Sequence, residues 1–171
     1  MISTTLNPLV ITAGEPAGIG PDLCIALAQT EWSNRVVVIA DPECLKARAR
    51  QLHVDITILS ADEKYTANNC LKVLKEPLAN FSVCGIPDPA NAKPLLAGLK
   101  RAVKGCIDGQ FSGLVTAPLQ KSVINDAGIP FSGHTEYLAK LTSTQTPVML
   151  LVANTMRVAL ASTHMPLRQV P

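Results

Sequence analysis

The chain has 171 residues, 47% of them hydrophobic, 16% charged and 4% aromatic, with a formal net charge of +2 and a mean hydropathy of +0.24. That length suits one domain, or one large domain and part of another, with a true core, and the low charged fraction argues against disorder. Without basic clusters or stacking aromatics there is no nucleic-acid surface to point to, and no apolar run approaches the length of a membrane span.

The elements alternate along the chain. Residues 9–12 read as a strand. Gly14 to Gly20 form a turn, and Pro21 suits the opening of a helix that runs to about Gln29. Residues 35–40 form an apolar strand. Asp41 can cap the next helix, with Pro42 at its first position, and that helix runs to about Leu52. Residues 56–59 are a third strand. Between Ser60 and Pro89 the pattern weakens to a loop-rich excursion, with strands expected near residues 70–74 and 81–83. A long helix follows at 91–107, where Leu95, Leu99, Ala102 and Cys106 recur on one face. Residues 113–116 are a strand, 121–127 a helix and 135–141 a short helix. Residues 147–152 and 157–162 read as two strands joined around Asn154-Thr155, and so short a link makes that pair antiparallel. Strands alternating with helices imply an α/β fold with a mainly parallel sheet. Pro166 could open a helix, yet the sequence stops soon after at Pro171, so a truncated chain with exposed apolar surface is the expectation.

The five cysteines, Cys24, Cys44, Cys70, Cys84 and Cys106, are widely spaced with no C-x-x-C pair. They read as reduced, mostly buried thiols of a cytosolic protein. Residues Met1 to Pro8 lack the basic start and apolar centre of a secretory signal.

Four segments carry polar groups where chemistry is expected. Thr12 to Pro21 follows a strand and opens a helix, with glycines at 14, 18 and 20. This spacing is neither G-x-G-x-x-G nor a Walker A loop. It serves equally as a tight turn or as a cradle for an anion, and Glu15 is its only acid. Thr116 to Lys121 leaves another strand end, where ligands of open α/β sheets bind; Lys121 is either a ligand for a phosphate or carboxylate, or a solvated lysine at a helix start. In the segment 128–136, His134 and Thr135 place an imidazole beside a hydroxyl at a helix start. The alternative there is an N-cap threonine with a surface histidine. His164 directly follows an apolar strand. A metal site needs about three protein ligands, and with His53 as the only other histidine this chain cannot assemble one from its histidines alone.

The segments Ile11 to Asp22, Val123 to Glu136 and Arg157 to Arg168, in that order, resemble the N-terminal half of the 4-hydroxythreonine-4-phosphate dehydrogenase family of pyridoxal phosphate (vitamin B6) biosynthesis. The family commonly has proline after Thr12 where this chain has Ala13, and its lysine turn differs from Ala117 to Ser122. The resemblance implies a three-layer α/β sandwich with a mainly parallel sheet, of the isocitrate/isopropylmalate dehydrogenase kind, truncated here. Residues 1–171 would be the N-terminal portion of a two-domain enzyme. It further implies a cytoplasmic homodimer that uses NAD or NADP and a divalent metal (zinc, magnesium or cobalt). Such an enzyme oxidises and decarboxylates 4-phosphohydroxy-L-threonine to 3-amino-2-oxopropyl phosphate. His134 and Thr135 match substrate-contacting residues, and His164 matches the first of three metal-binding histidines. No catalytic or cofactor-binding residue is assigned on these grounds. The alternatives are a dehydrogenase of another phosphorylated hydroxy acid, or a non-catalytic α/β ligand-binding module. No nucleic acid or membrane partner is expected.

Overall fold

A computed structural model describes residues 7–63, 69–162 and 166–170. The chain divides into two compact units, one ending at Phe131 and the other starting at Ser132.

The first unit is built on β1 (Leu9–Thr12), β2 (Val36–Ala40), β3 (Thr57–Ser60), β4 (Cys70–Lys75) and β5 (Gly113–Thr116). They form one sheet in the order β3-β4-β2-β1-β5, and every pairing is parallel. Its helices are α1 (Gly20–Ala28), α2 (Pro42–Gln51), α3 (Ala92–Ile107) and α4 (Lys121–Asp126). Alternate residues of a strand face opposite sides, and β2 shows this directly. Val38 and Ala40 pack with Ala13, Cys24, Ala28 and Leu45, beneath α1 and α2. Ile39 packs on the other face with Val10 and with Ala102 of α3. A strand covered on both faces must be apolar throughout, which accounts for the run Val36-Val37-Val38-Ile39. The result is a three-layer α/β arrangement with a parallel sheet, as the sequence predicts.

Local signals set the helix boundaries. The Asp41 carboxylate accepts from the Glu43 N–H at 2.8 Å and the Cys44 N–H at 3.4 Å, so it is the N-cap that its position before Pro42 implies. Its second oxygen accepts from the Leu78 N–H at 2.9 Å and anchors the chain leaving β4. Asn91 is almost fully buried; its side-chain oxygen accepts from the Asn80 N–H at 3.0 Å and its amide donates to the Asn80 carbonyl at 3.2 Å.

Two expectations need correction. Residues 81–83 are not a strand: Val83 makes only an isolated bridge to Ile86, closed by the Ile86 N–H on the Val83 carbonyl at 3.0 Å. The Asn80–Asn91 hydrogen bonds tie this segment to the residue before α3, and Phe81, Val83 and Ile86 are exposed. The cysteines are all free, but only Cys24 and Cys70 are buried; Cys44 and Cys106 are half-buried and Cys84 is exposed. A 3-10 helix at Glu31–Arg35, capped by the Thr30 hydroxyl on the Trp32 N–H, had no clear signal in the sequence.

The second unit contains α5 (His134–Leu141) and an antiparallel hairpin of β6 (Leu150–Ala153) and β7 (Met156–Ala159). Asn154 turns the hairpin with φ 49°, a left-handed conformation that asparagine tolerates. Both strands are exposed along their whole length, and only Arg157 among their residues is charged. A 3-10 turn spans Leu167–Gln169. Among the described residues no helix is long and apolar enough to cross a membrane.

Candidate functional site

In the first unit the polar loops meet at the carboxyl ends of the strands. The chain leaves β1 toward β2 on one side, and β5 arrives later on the other side. The boundary between β1 and β5 is therefore the switch point, where open α/β sheets bind ligands. The loop after β1 and the loop after β5 are bonded to each other. The Ala117 N–H donates to the Thr12 carbonyl at 3.0 Å, and the Glu15 N–H donates to the Pro118 carbonyl at 2.9 Å.

Two glycines make this contact possible. Gly14 has φ +70°, and a Cβ there would overlap the Pro118 carbonyl oxygen and lie 2.9 Å from Ala117 backbone atoms. At Gly20 a Cβ would overlap the Ala13 carbonyl oxygen, lie 2.8 Å from its carbon and meet the Ala117 Cβ at 3.1 Å. The glycine spacing that fits no nucleotide motif is thus the spacing of a backbone-to-backbone lock. Ala13 also has a local reason: its N–H donates to the Ile39 carbonyl at 3.3 Å, a bond that proline could not make.

Glu15 is buried at 6% exposure. One carboxylate oxygen accepts from the Ala17 N–H at 3.2 Å. Burial pushes its pKa up, the Ala17 hydrogen bond opposes that, and the Asp88 charge adds to the rise. Lys121 is exposed at the first position of α4, a placement open to either option for it. A cavity of about 40 Å³ lies beside this region, lined by Thr12, Asp41, Cys44, Leu45, Glu76 and Leu99 among others.

Sequence reasoning missed Arg48. It lies in α2 and is buried at 6% exposure. Its guanidinium donates to the Gly18 carbonyl at 3.1 Å, to the Pro16 carbonyl at 3.1 Å and to the Asp22 carboxylate. The signal was present: position 48 falls on the same helical stripe as buried Leu45 and Ala49, where an unpaired arginine would be prohibitive.

In the second unit, His134 and Thr135 are the first two residues of α5, with Gly133 as N-cap. Thr135 is thus inside the helix and is not the N-cap. His134 is half-buried, so it is not a surface histidine either, and burial lowers its pKa below the ordinary 6.5. The imidazole is neutral at neutral pH and presents one donor and one acceptor. His53 is exposed just beyond α2, with φ 53°. His164 lies outside the described residues. Among the described residues no group of three or more His, Cys, Asp or Glu could hold a metal ion, so they do not by themselves make a metal centre.

Residues 31–171 match the family described as Pyridoxal phosphate biosynthetic protein PdxA. The chain belongs to this PdxA family. It is 49% identical to a 4-hydroxythreonine-4-phosphate dehydrogenase of Stutzerimonas stutzeri over 97% of this chain and 52% of that protein. It is 50% identical to the enzyme of that name from Thioalkalivibrio sulfidiphilus over 98% of this chain and 52% of that protein. Among solved PdxA-type structures, the 4-hydroxythreonine-4-phosphate dehydrogenase of Klebsiella pneumoniae superposes with a TM-score of 0.85 at 28% identity, covering 95% of this chain and 53% of that one. This PdxA-family chain therefore spans about half the length of the relatives it matches.

Proposed function

We propose that the full-length protein oxidises 4-phosphohydroxy-L-threonine with NAD and releases carbon dioxide, giving 3-amino-2-oxopropyl phosphate for pyridoxal phosphate synthesis. The observation that carries this reading is the identity of about half to proteins of that name across nearly all of this chain. In the reaction the carbon bearing the substrate's secondary hydroxyl gives a hydride to NAD, and the hydroxyl gives its proton to solvent or a base. The resulting ketone lies β to the carboxylate, which then leaves as carbon dioxide.

His134 and Thr135 are assigned to the substrate. A neutral imidazole and a hydroxyl on adjacent residues can hold its polar groups in one orientation, which lowers the entropic part of the barrier. His164 is assigned to a divalent metal, zinc, magnesium or cobalt, whose remaining ligands come from outside this sequence; such an ion polarises the hydroxyl and the ketone as a Lewis acid. Residues 1–171 form the N-terminal portion of a two-domain subunit, and the subunits pair as a cytoplasmic homodimer. NADP is the alternative cofactor.

The test uses the complete protein with a divalent metal, NAD and 4-phosphohydroxy-L-threonine, following NADH absorbance and carbon dioxide together. Equal yields of the two are expected. NADH formation with a different phosphorylated hydroxy acid, and none with this one, would refute the substrate assignment.

A further inference from the structure

The hairpin of β6 and β7 has the composition of buried strands and none of the burial. Residues paired across a hairpin share a face, and alternate residues of one strand point to opposite sides. The register pairs Leu151 with Val158 and Val152 with Arg157. It therefore puts Leu151, Met156 and Val158 on one face and Leu150, Val152 and Arg157 on the other. Arg157 is the single charge on either face, yet Leu150 and Leu151, one on each side, are both 54% exposed. Strand β2 is apolar on both faces in the same way, and there α1 and α2 cover one side and α3 the other.

The rest of the second unit has no core to offer. Among the described residues after Phe131, Gly133 alone is buried, and α5, which carries His134 and Thr135, has no buried residue. A two-stranded hairpin left in water is marginally stable at best; it needs further strands or a packed helix to hold. Whatever covers this one must reach both faces. A two-fold copy of the chain would meet it through one self-complementary patch and leave the opposite face in water. Polypeptide of the same subunit can wrap both faces, as the helices wrap β2. The matched relatives hold that polypeptide, because this chain covers only 52% of their length.

We propose that the β6–β7 hairpin is an internal docking surface for the half of this protein that lies outside residues 1–171. That half lays apolar elements on both faces, sets a hydrogen-bond acceptor opposite Arg157 and gives the second unit its core. The proposal rests on the two-domain reading above.

The test uses the complete protein, its intact mass measured first. Leu150→Lys and Leu151→Lys put the same charge at equally exposed positions on opposite faces. On a face open to water each would move Tm by no more than about 2 °C. On a covered face each is expected to lower Tm by about 5 °C or more, because an unpaired ammonium is then buried. Backbone hydrogen exchange over residues 150–159 of the unsubstituted protein reads the same cover, and serves if a variant does not fold. It is expected at about a thousandth of the unfolded-chain rate. Exchange near the unfolded-chain rate overturns the proposal, and so does a Tm that either substitution leaves unchanged; a loss confined to one face would be the mark of a second copy. An intact mass with no polypeptide beyond these 171 residues refutes the two-domain reading instead.

Discussion

Replacing Gly20 with alanine sets two known effects against each other. Alanine is the better helix former by about 1 kcal/mol in a helix interior, and Gly20 opens α1. Against that, the added methyl would overlap the Ala13 carbonyl oxygen and crowd Ala117. Those neighbours are backbone and a short side chain at the ends of β1 and β5, so no flexible group can swing aside. Overpacking in such a setting costs about 1–3 kcal/mol or somewhat more, and the rigidity of these neighbours places Gly20→Ala at the upper end. The net expectation is a loss of about 2 kcal/mol. With a urea slope of about 1–3 kcal/mol/M, the midpoint should fall by roughly 1 M. Urea unfolding followed by circular dichroism measures it. A Gly20→Ala midpoint equal to or above that of the unsubstituted protein would show that the lock between the two loops is looser than described.

Two further predictions concern titrating groups. The pKa of Glu15 is raised above 4.5, chiefly by burial, so its charged form weakens the fold, an effect absent below pH 4.5 and complete above the folded pKa. Glu15→Gln keeps the acceptor for the Ala17 N–H and removes the charge. Its Tm should exceed that of the unsubstituted protein at pH 7, the gap closing near pH 4; a lower Tm at pH 7 would contradict this. The pKa of His134 is lowered below 6.5 by burial, so the folded state resists its protonation. Stability should drop as pH falls through 6.5 toward the folded pKa, and the drop should disappear in His134→Gln. Parallel Tm-against-pH curves for the two proteins would refute it.

The sheet was legible because its strands are apolar runs and its helices open on residues with one clear role. Asp41-Pro42 is a cap and a first-turn proline, and both act as such. Residues 81–83 misled because β propensity says nothing about whether a neighbouring strand exists. The segment's position is set instead by Asn91 gripping Asn80 across eleven residues. At the site, the glycines at 14 and 20 could be read as a tight turn, but not that each sits against a carbonyl, because one of their partners comes from a loop about a hundred residues away. Arg48 was hidden for a related reason: two of its three acceptors are backbone oxygens, which leave no mark in a sequence, and the third, Asp22, lies 26 residues away. Where the family commonly has proline after Thr12, this chain has Ala13, whose amide bonds to the Ile39 carbonyl of β2, a partner not visible in the sequence.

The order of the strands also bears on how the protein is made. Leu9 of β1 is paired with Val36 on one side and with Gly113 on the other. The first partner is synthesised soon after it, the second only when most of this unit has emerged. Long closures of this kind slow folding, because chain entropy is lost before the contact forms. Until β5 arrives, one edge of β1 is bare and the loop from Ala13 to Ile19 has no Pro118 carbonyl to bond. The strand that carries the glycine-rich loop is thus the earliest of the sheet to be translated and the last to have both its flanks satisfied.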